Sequence, residues 1–133
     1  MVLLIEDNPT DVFVIRKVLD QCDLNLRLRI AKDGHDALLY LDDVSREESP
    51  CPVLVLLDLN VPKISGLEVL RRLRDGSPCN RTPVIVVTSS SEATDRAEVQ
   101  RLAADAYFQK PVDLAAYMEL VPLIKRVLGD LAR

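Results

Sequence analysis

Five polar residues stand where short apolar segments end, and their side chains suit the chemistry of a phosphoryl group. Glu6 and Asp7 follow the first of these segments, Asp58 follows a middle one, and Thr88 and Lys110 follow two later ones. Carboxylate oxygens with room for water suit Mg²⁺, which also binds phosphate oxygens. A hydroxyl and an ammonium group can hold the other phosphoryl oxygens. Together these residue types favour a metal-assisted phosphoryl site.

That interpretation requires a fold in which strand ends meet. Apolar runs predict buried strands at 2–5, 53–57 and 84–87, a half-exposed strand at 26–31 and a short strand at 106–108. Segments with helical spacing separate them, which predicts a doubly wound three-layer α/β sandwich, (βα)5, with parallel strand order 2-1-3-4-5. In this order the switch point separates strands one and three, so Glu6, Asp7 and Asp58 should converge.

Three local features complete the prediction. Asn8 suits the cap of the first helix, and Pro9 suits its first turn. Residues 42–52 form the longest polar connection and are expected to be a surface loop. A closing helix is predicted over 113–131, with a kink or break at Pro122.

Carboxylates this close together repel one another. At about 5 Å and an effective dielectric near 20, two of them repel by roughly 3 kcal/mol, or about two pKa units. A cation or protonation must offset this cost. Alternatively, each acid faces solvent or caps the next helix, as is common in α/β folds. The joint pattern at neighbouring strand ends favours a functional site.

The composition of the chain excludes several classes of protein. The chain has 133 residues, 48% of them hydrophobic, which fits one domain spanning 1–133. A net charge of -4 provides no basic field for nucleic acid. No apolar run suits a membrane span or a signal peptide, and we expect a cytoplasmic protein.

The cysteines predict neither a disulfide framework nor a zinc site. Cys22, Cys51 and Cys79 make an odd number, lack C-x-x-C spacing and have only His35 as an imidazole companion. We expect ordinary thiols in a reducing cytosol, and we expect His35 to be an ordinary surface residue.

The segments that carry these residues also carry a family resemblance. They are LLIEDNP, LVLLDLNVPKISGLEVL, VIVVTSS and ADAYFQKPVD. In their order and spacing, the chain resembles the receiver domains of two-component response regulators, which have a flavodoxin-like, CheY-like fold. IEDNPTD, the connection at 42–52 and KPVDLAAYMELV are similar to the stand-alone regulators of bacterial phytochrome-type histidine kinases.

The resemblance implies a role for each site residue. Asp58 would be the phosphoacceptor, and Mg²⁺ would be held by Glu6, Asp7, Asp58 and the backbone carbonyl of Asn60. Thr88 and Lys110 would contact the phosphoryl oxygens.

The resemblance also implies roles around the site. Tyr107 would be the switch aromatic that turns inward with Thr88, or a simple core tyrosine. Pro111 stands where receivers often have a cis peptide bond. From their positions, Asn60 and Ser90 would flank the water that slowly hydrolyses the acyl phosphate.

The implied activity is phosphotransfer from the phosphohistidine of a sensor histidine kinase, with only self-phosphorylation and slow autodephosphorylation as chemistry. The signal would pass to a downstream effector or phosphotransfer protein. Dimerisation through the last two helices is left open. A haloacid-dehalogenase-type phosphatase would need a second acid where Asn60 stands. The four glycines form no nucleotide-binding motif. A pseudo-receiver that binds partners without phosphorylation is the remaining alternative.

Overall fold

The computed structural model describes residues 1–129 and contains one five-stranded parallel sheet. The strands are β1 (Val2–Ile5), β2 (Leu28–Ala31), β3 (Leu54–Leu57), β4 (Val84–Thr88) and β5 (Ala106–Gln109). The helices are α1 (Pro9–Cys22), α2 (Gly34–Ser45), α3 (Gly66–Arg74), α4 (Ala93–Arg101), α5 (Leu114–Tyr117) and α6 (Leu120–Val127). The order β2-β1-β3-β4-β5 confirms the predicted topology. In this part of the chain, none of the helices has the length and apolar character needed to cross a membrane.

Two apolar layers hold the sheet, because successive strand side chains point to opposite faces. Val2 and Leu4 of β1 pack on the side of α1, α5 and α6. Leu3 and Ile5 pack on the side of α2, α3 and α4. The register pairs Ile5 with Leu57, so β1 and β3 end at the same level. The residues that follow these strands are therefore brought side by side.

Helix α1 begins as its sequence predicts. The Asn8 Oδ1 atom accepts hydrogen bonds from the backbone N–H groups of Thr10 and Asp11, and Pro9 occupies the first turn. These contacts satisfy donors that have no partner within the helix. The short connection after β1 places the first turn of α1, with Asp11, beside the strand ends.

The connection between α2 and β3 is shorter than predicted. Residues 42–45, expected in a loop, continue α2 to Ser45. Val44 is buried and lies three residues beyond the buried Leu41, so the apolar stripe of the helix extends into this segment. The polar residues at 42, 43 and 45 concealed that continuation.

The closing helix is interrupted, as Pro122 predicts. The break lies at Met118 and Glu119, between α5 and α6, one turn before the proline. Proline has no N–H, and its ring crowds the carbonyl four residues earlier, here that of Met118. Helix α6 ends at Val127, earlier than predicted, since residues 128 and 129 form a turn; the predicted end at Leu131 itself lies outside the described residues.

The prediction that the cysteines carry no disulfide is wrong. Cys51 and Cys79 are bonded, with their Cα atoms 5.6 Å apart, while Cys22 is a free, buried thiol. The register of β3 with β4 pairs Val55 with Val84. Cys51 lies three residues before β3 and Cys79 five residues before β4, so the pairing of these strands brings both cysteines to the same end of the sheet. The pairing follows from strand order and register, which cysteine spacing alone does not contain.

Candidate functional site

Asp58 lies at the carboxyl end of β3 with both carboxylate oxygens engaged. Its Oδ1 atom accepts hydrogen bonds from the Thr88 hydroxyl at 2.8 Å and from the Asn60 backbone N–H at 3.1 Å. Its Oδ2 atom lies 2.9 Å from Nζ of Lys110. Asp58 is 5% exposed, so its carboxylate is buried and these contacts fix its position.

Lys110 is the cationic centre of the site. Its Nζ atom lies 2.6 Å from Glu6 Oε1, 2.9 Å from Asp11 Oδ2 and 2.9 Å from Asp58 Oδ2. An ammonium group has three protons, which matches three carboxylate partners. The lysine that the resemblance assigns to phosphoryl binding therefore offsets part of the negative charge of this site.

Glu6, Asp7 and Asp58 form a cluster suited to a divalent cation. Each offers a carboxylate oxygen, and the three oxygens lie within 4.8 Å of one another. Glu6 Oε2 accepts hydrogen bonds from the backbone N–H groups of Asp7 and Asn8. Glu6 Oε1 is buried and has no hydrogen bond of good geometry, despite its short ionic contact with Lys110. This incompletely satisfied oxygen and the three-carboxylate donor set fit Mg²⁺, which prefers oxygen ligands.

Burial and pairing shift the proton equilibria of the site in different directions. Burial raises the pKa of Glu6 to about 7, although Lys110 partly opposes the rise. Burial alone would also raise the pKa of Asp58, but hydrogen bonds from Lys110, Asn60 and Thr88 hold it below its usual value. The pKa of Lys110 lies above its usual value, because its contacts with Glu6, Asp58 and Asp11 outweigh the effect of burial. Asp58 is therefore ionised at neutral pH.

Thr88 connects the site to the surface at α4. Its Oγ1 atom accepts a hydrogen bond from the backbone N–H of Ser90 at 3.4 Å. The Ser90 carbonyl accepts the Tyr107 hydroxyl at 2.5 Å, and the Arg96 guanidinium lies 4.4 Å from the centre of the Tyr107 ring. Tyr107 is half-buried, between the core and the exposed surface of α4. A chain of contacts thus leads from Asp58 through Thr88 to Tyr107.

Two residues of the site were missed in the sequence. Asp11 contacts Lys110, and the Tyr117 hydroxyl donates to Asp11 Oδ1 at 3.3 Å. Burial, together with the charge of Asp11, raises the pKa of Tyr117. The position of Asp11 in the first turn of α1 was a usable signal. Tyr117 gave none, because its contact with Asp11 spans 106 residues of sequence.

The predicted cis peptide bond before Pro111 is absent, since the described residues contain only trans bonds. Trans is the favoured form before proline by about 0.5–1 kcal/mol. Lys110 is held by its side-chain contacts and by a backbone hydrogen bond to the Thr88 carbonyl. His35 is exposed on α2, at the surface position expected for it.

Comparison with known proteins agrees with this architecture. Residues 2–122 match the response regulator receiver domain family. Response regulator Rcp1 of Synechocystis sp. is 34% identical over 122 residues, which cover 91% of this chain and 83% of that protein.

Two solved structures are also similar. The Mn²⁺-bound form of Rcp1 gives a TM-score of 0.84 at 34% identity, covering 93% of this chain and 90% of that one. The phosphorylated cyanobacterial phytochrome response regulator RcpA gives 0.85 at 29% identity, covering 94% and 90%. The chain belongs to the response regulator receiver domains, and it is similar to phytochrome response regulators.

Proposed function

We propose that this chain accepts a phosphoryl group on Asp58 from the phosphohistidine of a sensor histidine kinase, in a Mg²⁺-dependent reaction. One observation carries the proposal. The ionised carboxylate of Asp58 lies between the Lys110 ammonium, the Thr88 hydroxyl and two further carboxylates. These are the groups that a phosphoryl acceptor requires.

The reaction is a displacement at phosphorus. A carboxylate oxygen of Asp58 forms the new P–O bond, the P–N bond to the donor imidazole breaks, and its electron pair returns to the imidazole nitrogen. Lys110 and Thr88 contact Asp58 from different sides and are placed to hold phosphoryl oxygens after transfer. Slow hydrolysis would return the free carboxylate, with Asn60 and Ser90 flanking the water.

Glu6, Asp7 and Asp58 would hold the metal ion, together with the backbone carbonyl of Asn60. When bound, Mg²⁺ neutralises charge between the acceptor carboxylate and the incoming phosphoryl oxygens. Mn²⁺ in the similar Rcp1 structure and phosphorylation of the similar RcpA support this assignment.

The donor is proposed to be a kinase of the phytochrome type, because the similar protein RcpA is a phytochrome response regulator. Exposed apolar side chains near the site support docking of a protein donor. Phe13 lies two residues beyond Asp11 in α1, and Val112 lies two residues beyond Lys110. Both side chains are largely exposed, and both belong to segments that carry residues of the site.

Output is proposed to pass through Thr88 and Tyr107. A shift of Thr88 toward new phosphoryl oxygens would change its contact with Ser90 and hence the environment of the Tyr107 hydroxyl. In α4, Val99 is the one buried residue, so most of this helix is open to an effector, a phosphotransfer protein or a second copy.

The test is phosphotransfer from a purified, autophosphorylated phytochrome-type histidine kinase. We expect label to pass to the wild-type chain with Mg²⁺, and to fail with EDTA or with Asp58→Asn. A matched control, Asp105→Asn, removes a carboxylate at the opposite end of β5 and should leave transfer intact. Kinase binding without transfer under every condition would refute the proposal and support a pseudo-receiver.

A further inference from the structure

We propose that Cys51 and Cys79 form a reversible dithiol–disulfide couple, through which a small thiol of the glutathione type controls the stability of this domain. The couple is separate from the phosphoryl site. Cys51 precedes β3 and Cys79 precedes β4, whereas Asp58 and Thr88 stand at the opposite ends of the same strands. Four residues of strand separate these ends by about 13 Å.

The disulfide is the main link between two surface connections. Besides it, the Thr82 hydroxyl donates to the Pro52 carbonyl at 3.4 Å, and the Val55 N–H of β3 donates to the Pro83 carbonyl at 2.9 Å. Each connection also has hydrogen bonds to a neighbouring helix. Tyr40 donates to the Pro50 carbonyl at 2.6 Å, and Arg74 donates to the carbonyls of Asn80 and Thr82. Opening the disulfide therefore leaves both connections attached to the domain and removes the covalent link between them.

The two sulfur environments set the order of the exchange. Cys51 is exposed and Cys79 is 2% exposed, so an external thiolate reaches the Cys51 sulfur first. Attack there forms a mixed disulfide on Cys51 and releases Cys79 as a thiolate, which takes up a proton. A second external thiolate then attacks the sulfur of the small thiol that is bound to Cys51, and the Cys51 thiolate is released. Two external thiols are thus oxidised to one disulfide, while the protein disulfide is reduced to two thiols.

The third cysteine is positioned to stay out of this exchange. Cys22 is 1% exposed at the end of α1, on the face of the sheet opposite Cys79. Burial also raises the pKa of its thiol, which lowers the fraction of reactive thiolate. Thiol–disulfide exchange should therefore involve Cys51 and Cys79 and not Cys22.

Stability should follow the redox state, because the cross-link closes a loop of 28 residues in the unfolded chain. A loop of that size lowers the entropy of the unfolded state enough to shift the midpoint of thermal unfolding by roughly 10 °C. Hydrogen exchange should show the same change locally, with faster exchange at 46–52 and 77–82 after reduction.

The experiment equilibrates the full chain with oxidised or reduced glutathione, traps thiols by alkylation and measures intact mass and thermal unfolding. We expect one intramolecular disulfide in the oxidised form, gain of two hydrogens on reduction, and reversal on reoxidation. The unfolding midpoint should fall by roughly 10 °C in the reduced form. Cys51→Ser should unfold at the reduced midpoint in both buffers, and Cys22→Ala should respond as the wild type does.

Three results would overturn the proposal: thiols at Cys51 and Cys79 that persist in oxidised glutathione, a bond that excess reduced glutathione cannot open in the folded chain, or equal unfolding midpoints of the two forms. Peptide mapping of the alkylated wild type identifies the bonded pair directly, so the outcome does not depend on whether a variant folds.

Discussion

Replacement of Lys110 by methionine should destabilise the protein in a way that depends on pH. The methionine keeps most of the apolar stem but removes the ammonium that contacts Glu6, Asp11 and Asp58 at 2.6–2.9 Å. At an effective dielectric near 20, each contact represents about 6 kcal/mol of gross attraction. Desolvation of these buried groups offsets most of that sum, and loss of one partner from a buried ionic group costs about 3–5 kcal/mol.

The pH dependence follows from the carboxylates left behind. Without Lys110, the folded-state pKa of Glu6 should rise further above its unfolded value, and Asp58 should lose the main contact that holds its pKa below the usual value, so that burial raises it. A raised folded-state pKa gives stability that is complete below the unfolded pKa and is lost as pH rises through the folded pKa. Relative to the wild type, the variant should therefore be least stable at about pH 8 and should approach the wild-type stability at about pH 5.

Urea unfolding at these two pH values, with the disulfide intact, measures the difference. We expect the gap between wild type and Lys110→Met to widen to about 3–5 kcal/mol at the higher pH. Mg²⁺ should restore more stability to the variant than to the wild type, because it supplies a cation to the unpaired carboxylates. Lys125→Met, at an exposed position of α6, should change stability by less than about 0.5 kcal/mol. A gap that is absent, or that stays constant with pH, would refute the assigned role of Lys110.

Three further outcomes are expected. Because burial raises the pKa of Glu6 to about 7, Mg²⁺ must compete with a proton below that pH. Thermal-shift measurements should therefore show more stabilisation by Mg²⁺ at about pH 8 than at about pH 6. Asn8→Ala removes the side-chain cap of α1, and urea unfolding should show a loss of about 1 kcal/mol. Gly66→Ala would place a Cβ atom 2.3 Å from the Asp58 carbonyl oxygen, so the backbone at Asp58 must shift. Intact-mass analysis should therefore show slower phosphorylation of this variant. The matched control is Gly129→Ala, whose Cβ would lie 3.3 Å from the nearest atom. Equal Mg²⁺ effects at both pH values, an unchanged stability of Asn8→Ala, or unchanged phosphorylation of Gly66→Ala would each contradict the corresponding explanation.

Local sequence was sufficient to predict the centre of the fold. The strands β1, β3 and β4 are continuous apolar runs because both of their faces are covered, and such runs are visible without an alignment. Once strand order is assigned, the convergence of Glu6, Asp7 and Asp58 follows from topology. The structure confirms their proximity, while their roles in metal binding and phosphorylation stay predictions.

Contacts between distant parts of the chain were harder to predict. The disulfide depends on the register of β3 with β4, and the contact between Asp11 and Lys110 joins residues 99 positions apart. The predicted boundary of α2 was wrong because polar side chains continue the helix beyond the point where the sequence predicted a loop. Polar residues at the end of α2 led to the prediction of a loop there, whereas the rigid ring of Pro122 correctly predicted a break in the closing helix.

The most direct test of the central claim is intact-mass analysis after incubation with acetyl phosphate, with and without Mg²⁺, for the wild type and Asp58→Asn. We predict a gain of one phosphoryl group in the wild type with Mg²⁺, and no gain in Asp58→Asn or in the absence of the metal ion. No gain in the wild type, or equal gains in both proteins, would contradict the assignment of Asp58 as the phosphoacceptor.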